Sequence, residues 1–87
     1  MRIKEGYVLK EVAKEFIVVP VGDEAINFNG ILTLNKTAKL LFETLLNDVE
    51  IKDLVKVLLD KYDINEEQAL KDVNEFVHIL ESRNILI

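Results

Sequence analysis

The chain has no cysteine, one histidine, one proline and three glycines in 87 residues. Without cysteine there is no disulfide, no thiolate metal site and no cysteine nucleophile; zinc-finger and iron–sulfur readings fall away, and a cytoplasmic setting is the simplest one. The lone histidine, His78, stands almost opposite the apolar stripe of its helix and reads as a solvated residue. A general base needs an orienting partner and a cleft, and the sequence offers neither. No Gly-rich phosphate loop is present, so an enzyme is not expected. The longest apolar run, Phe16 to Val21, is too short to span a bilayer, and seven charges in the first fifteen residues leave no secretory h-region. No membrane partner is expected. Positive charge is also short: 11 Lys and Arg stand against 16 Asp and Glu, a formal charge of −5, which argues against phosphate-rich partners. Asp63-x-Asn65-x-Glu67 mimics the opening of a calcium loop, yet Gln68 stands where that loop needs Gly and Asn74 where it needs Glu. A turn followed by a helix cap, with acids in the first helical turn, suits it better. No metal or cofactor is expected.

What the chain does have is apolar patterning. Hydrophobic residues make up 49% of it, enough for one domain over residues 1–87 with a modest core of its own. Tyr7 to Val12 and Phe16 to Val21 are β-branched and aromatic runs separated by Ala13-Lys14-Glu15, the spacing of a tight hairpin. Pro20 has no N–H for a ladder and predicts a bulge or the end of pairing. The chain turns at Val21-Gly22-Asp23; Ala25 to Phe28 is expected to be an extended connection that tucks Ile26 and Phe28 under the sheet. Gly30 to Leu34 is the third strand, with Gly30 allowing a kink before it. Three helices follow by their i, i+3, i+4, i+7 stripes. The first covers about 36–46 (Ala38, Leu41, Phe42, Leu45). The second covers about 51–62 (Ile51, Leu54, Val55, Leu58, Tyr62), with Val49 placed to staple onto Leu54. The third begins at Asn65, which forms a capping-box arrangement with Gln68, and buries Ala69, Val73, Phe76, Val77 and Leu80. Asn84 is a left-handed terminator and the tail Ile85-Leu86-Ile87 packs back. The fold class is α+β, winged-helix-like: a three-stranded antiparallel sheet followed by three helices.

Strand three runs into the first helix without a loop, because Asn35 is itself a good N-cap. Nothing obvious in the sequence covers that strand's outer edge, and an uncovered edge is a place for an added peptide strand. The tail or a second copy of the chain could also protect it, which leaves a structural dimerisation module open. A DNA-binding winged helix is the remaining alternative. Its reading helix would carry five acids against two bases from Glu66 to Arg83, net −3, and phosphate would repel it.

The order and spacing of Val18-Val19-Pro20-Val21-Gly22, Phe28-Asn29-Gly30-Ile31, Leu34-Asn35-Lys36-Thr37 and Asp72-Val73-x-x-Phe76-Val77-x-x-Leu80 resemble the pyrroloquinoline-quinone biosynthesis protein D family over nearly the whole chain. Members of that family are free-standing leader-peptide recognition elements of ribosomal peptide natural-product pathways. Two turn positions differ, since members often carry Gly where Lys14 and Asn84 stand. The resemblance implies a non-enzymatic chaperone that binds the leader of a precursor peptide as an antiparallel strand and presents it to a modifying enzyme, often a radical S-adenosylmethionine enzyme. Carried over by position, the peptide-binding residues are Gly30, Ile31, Leu32, Thr33 and Leu34 on the strand, with Asp72, Val73 and Phe76 on the third helix. The helical wheel adds Ile79 at the groove lip, off the core stripe, with Leu70 on the other flank as its competitor.

Overall fold

The structure is a computed structural model that describes residues 1–27 and 31–87, with no side-chain description for residues 26 and 27. Among the described residues the elements run β1 (Tyr7–Val12), β2 (Glu15–Pro20), α1 (Glu24–Asn27), β3 (Leu32–Leu34), α2 (Lys36–Thr44), α3 (Ile51–Lys61) and α4 (Glu66–Ser82). The sheet is antiparallel in the order β1-β2-β3, and three full helices follow it. The segment after Asp23 is a single helical turn, α1, where an extended connection was expected. Its start is set by the turn at Gly22, whose carbonyl accepts from the Ala25 N–H at 3.2 Å, with Glu24 in the first turn. The expectations placed on Ile26, Phe28 and Gly30 lie outside the described residues and side chains. The third strand is shorter than expected, beginning at Leu32.

The hairpin closes on two residues, Ala13 and Lys14, both in the left-handed region at φ 52° and 69°, a geometry that matches the twist of the flanking strands. In such a hairpin the closing pair, Val12 and Glu15, exchanges both hydrogen bonds, and bonded pairs then recur at every second position. The unbroken register from Val12↔Glu15 to Tyr7↔Pro20 carries this to the far end, where the Val21 N–H reaches the Gly6 carbonyl at 2.7 Å. Of the two outcomes expected at Pro20, the structure shows the second: β2 ends there, without a bulge. Pro20 sits at a non-bonded position, where a backbone N–H would point away from β1, and among the described residues β3 pairs with Phe16 to Val18.

α2, α3 and α4 turn their predicted stripes to the core, with Ala38, Ile51 and Tyr62 partly buried at its margin, and every buried residue among those described is hydrophobic. Val18, Leu32 and Leu34 project from the inner sheet face onto Leu41, Phe42 and Leu45 of α2, Leu54 and Leu58 of α3, and Val73, Val77 and Leu80 of α4, in one core. Caps fix where the helices start. Asn35 Oδ1 accepts from the Ala38 N–H and Asn65 Oδ1 from the Gln68 N–H, both at 2.8 Å. The Gln68 side chain does not complete the capping box with Asn65; it donates forward to Asp72 at 2.8 Å. A reciprocal contact that sequence reading missed occurs at α3, where the Asp53 carboxylate accepts from the Glu50 N–H at 2.9 Å. Asn84 ends α4 at φ 59°. Its N–H reaches Glu81 and the Ile85 N–H reaches Leu80, both at 3.0 Å, the two bonds of a Schellman motif. The tail then pairs with the amino-terminal segment through an Ile3↔Leu86 bridge. The tail is thus engaged away from β3.

Candidate functional site

The register fixes which backbone groups of β3 are free to bind. On β2, Glu15, Ile17 and Val19 spend their peptide groups on β1, so Phe16 and Val18 turn theirs to β3. Phe16↔Leu34 and Val18↔Leu32 are then the bonded pairs, and Ile17↔Thr33 is the non-bonded one. The N–H and C=O of Thr33 consequently point away from the sheet. No fourth strand pairs with β3 among the described residues. Side chains follow the same alternation: Leu32 and Leu34 are buried, whereas Thr33 is exposed on the outer face.

β3 leads through Asn35 into a groove of about 220 Å³ between the first turns of α2 and one face of α4. Leu41, Ala38 and Phe76 supply its apolar surface, and Ile79 stands at its lip at 41% exposure. Asp72 and Glu75 give that wall negative charge. Asp72 is tied to Gln68 by the bond already described, which holds its carboxylate along the helix.

The structure brings together Asp72, Phe76 and Ile79 in this groove, next to the strand that carries Leu32, Thr33 and Leu34. Ile31 precedes the strand and is 59% exposed. Val73 is 0% exposed; it packs the inner face of α4 and can position its neighbours but cannot touch a ligand. Gly30 lies outside the described residues. Leu70, the competing flank, opens onto a different groove beside Val55 and Leu59 of α3. Sequence reading missed Asn35, Thr37 and Glu75 as lining residues and took Ala38 and Leu41 for core alone. Leu41 is in fact both, buried yet forming the groove floor. The signal for Glu75 was available, since it lies between Asp72 and Ile79 on the same helix face.

Fold and groove together define a small α+β domain with an open sheet edge among the described residues. The family model described as Coenzyme PQQ synthesis protein D (PqqD) matches residues 15–86, and the chain belongs to that family. Among solved structures it is similar to "TbiB1 in Complex with the TbiA(beta) Leader Peptide", with TM-score 0.77 and 14% identity over 99% of this chain and 94% of that one. It is also similar to "Lasso peptide synthetase B1 complexed with the leader peptide", with TM-score 0.74 and 19% identity over 97% and 93%. At these identities the likeness is one of fold. No curated protein matches the sequence.

Proposed function

We propose that the protein is a peptide-recognition domain that binds the leader segment of a ribosomally made precursor and holds it for a modifying enzyme, without catalysis of its own. The observation that carries this reading is the backbone of Thr33, whose N–H and C=O point out of an edge strand beside the groove of Leu41, Phe76 and Ile79. Both structural relatives named above are leader-peptide complexes, which supports the same occupant here. A leader residue opposite Thr33 would exchange two hydrogen bonds with it, each adding about 0.5–1.5 kcal/mol net. Its two neighbours would face inward, where an apolar side chain gains about 1.5–3 kcal/mol on full burial. Ordering a disordered leader offsets much of this, and dissociation constants from about nanomolar to tens of micromolar are expected.

Among the described residues no group of three or more His, Asp or Glu is placed to hold a metal ion, His78 is exposed on α4, and no helix is long and apolar enough to cross a membrane. The modifying enzyme is proposed to be of the radical S-adenosylmethionine type and the setting cytoplasmic, where a ribosomal peptide is made. The DNA-binding alternative fares worse, because α4 presents Asp72 and Glu75 at the groove and phosphate would be repelled. The decisive experiment is a search of the gene's neighbourhood for a short precursor reading frame, followed by titration of the protein with that peptide, full-length and with the leader removed. Binding that survives removal of the leader would overturn the proposal.

A further inference from the structure

The groove on α4 is acidic, but the opposite side of the strand edge is not. Another groove, of about 540 Å³, runs between the hairpin tip and the β3–α2 junction and touches Thr33, Lys14 and Lys36. It shares Phe16 and Lys36 with a neighbouring one, of about 280 Å³, which adds Lys39 and Lys61. Together they form one track carrying Lys14, Lys36, Lys39 and Lys61 against only Glu15 and Glu43. That is an excess of positive charge on a chain whose net charge is −5. Lys39 is committed to Glu43 at 3.4 Å and to the Phe16 ring at 4.9 Å from its centroid. Among the described residues Lys14, Lys36 and Lys61 have no ion-pair partner. Lysines concentrated at one end of an otherwise acidic domain, and beginning at the open strand, indicate an anionic occupant.

The direction of the strand says which part of the peptide that is. β3 runs from Leu32 to Leu34 and on into Lys36. A peptide added antiparallel to it runs the other way, so the residues preceding its paired segment pass the Leu34–Lys36 end. We infer that the bound peptide carries an acidic segment, rich in Asp or Glu, immediately amino-terminal to the residues that pair with β3, and that this segment lies along the lysine track. The inference rests on strand addition at Thr33 and adds to it the charge and the polarity of the ligand.

The test is selection from a randomised peptide display library on the wild-type protein, with the winners then titrated as synthetic peptides. The expected winners carry an apolar, β-prone segment preceded by two or more Asp or Glu. Their affinity should fall about five- to tenfold in Lys14→Glu/Lys36→Glu and by a similar factor on raising salt, as exposed charge pairs do. The double variant should melt like wild type, both lysines being exposed; Lys36→Gln with Lys61→Gln gives a milder second variant. Winners that need Thr33 but show no acidic bias, or that carry the acids after the paired segment, overturn the inference and leave strand addition standing. Winners indifferent to Thr33→Pro overturn both, as does a selection that yields no binder. A single-stranded oligonucleotide that displaces the peptide at equal concentration would overturn it too, by showing the track to be a general polyanion site.

Discussion

Replacing Thr33 by proline separates binding from folding at a single position. The Thr33 N–H points away from β2, so the ladder loses nothing when proline removes it, and an edge strand tolerates proline there. The fixed φ near −65° and the bias of Leu32 toward extended backbone are both compatible with a strand. A peptide opposite Thr33 loses one hydrogen bond, about 0.5–1.5 kcal/mol, which is a factor of about 2 to 12 in affinity. The ring also places Cδ where the hydrogen stood, pushing the incoming strand out of register, so about tenfold or more is expected. Leu34→Pro is the opposite case. It removes a bond to Phe16 and a side chain that is nearly fully buried, at about 2–5 kcal/mol for the lost side chain alone, a large part of the stability of a domain this size. The assay pairs far-ultraviolet dichroism and thermal melting with anisotropy titration of a labelled leader peptide. Thr33→Pro should melt cooperatively close to wild type and bind poorly; Leu34→Pro and Leu32→Pro should fail to fold stably. A folded Thr33→Pro that binds like wild type would refute strand addition. An unfolded Thr33→Pro beside a stable Leu34→Pro would show that the hydrogen-bonding parity of β3 is the reverse of the one derived above.

Other outcomes follow from the same structure. Ile79→Asp should weaken peptide binding about tenfold or more while shifting the melt little, because the side chain stands at the groove lip and a charge there is left against apolar surface. Val73→Asp, in the fully buried position, should unfold the domain, and equal melting of the two variants would place Ile79 in the core. Lys14→Gly should raise stability by about 0.5–1 kcal/mol, since Lys14 holds φ 69° and glycine adopts it without a Cβ penalty; a melting point about 2–8 °C higher by calorimetry is the expected reading. Stability should fall in alkali through Tyr7. Burial first, and then the Glu24 carboxylate that accepts its hydroxyl proton at 3.1 Å, hold Tyr7 above its ordinary value of 10.0. The folded state therefore keeps that proton after the unfolded chain has lost it. This contribution is intact below pH 10.0 and disappears as pH rises through the folded value. Denaturant melts on either side of that pH should show a steeper loss for wild type than for Tyr7→Phe.

The helices were legible because each buried stripe repeats over several turns and the caps Asn35, Asn65 and Asn84 stand where the stripes begin and end. The α1 turn was not: four residues cannot show a helical period, and its start depends on the Gly22 carbonyl, a contact made by the folded turn. The site was legible in part for a related reason. Ile79 could be placed on a wheel, but Val73 and Phe76 belong to the same stripe, and whether a stripe residue is sealed or borders a groove depends on what packs over it. The free side of β3 was not assigned from sequence at all, although one residue held the information. Pro20 ends a regular ladder without a bulge, so the side where its N–H is missing must be the side that does not pair with β1. Counting back in twos places Val18 and Phe16 on that same side, facing β3, and from there only the register of three residues separates Leu34 from Thr33. A shift of one residue in that short pairing would expose the peptide groups of Leu34 instead and turn both leucines out of the core. The burial of Leu32 and Leu34 is thus what holds the Thr33 backbone outward, and the hydrophobic pattern of the strand sets its binding edge as well as its packing.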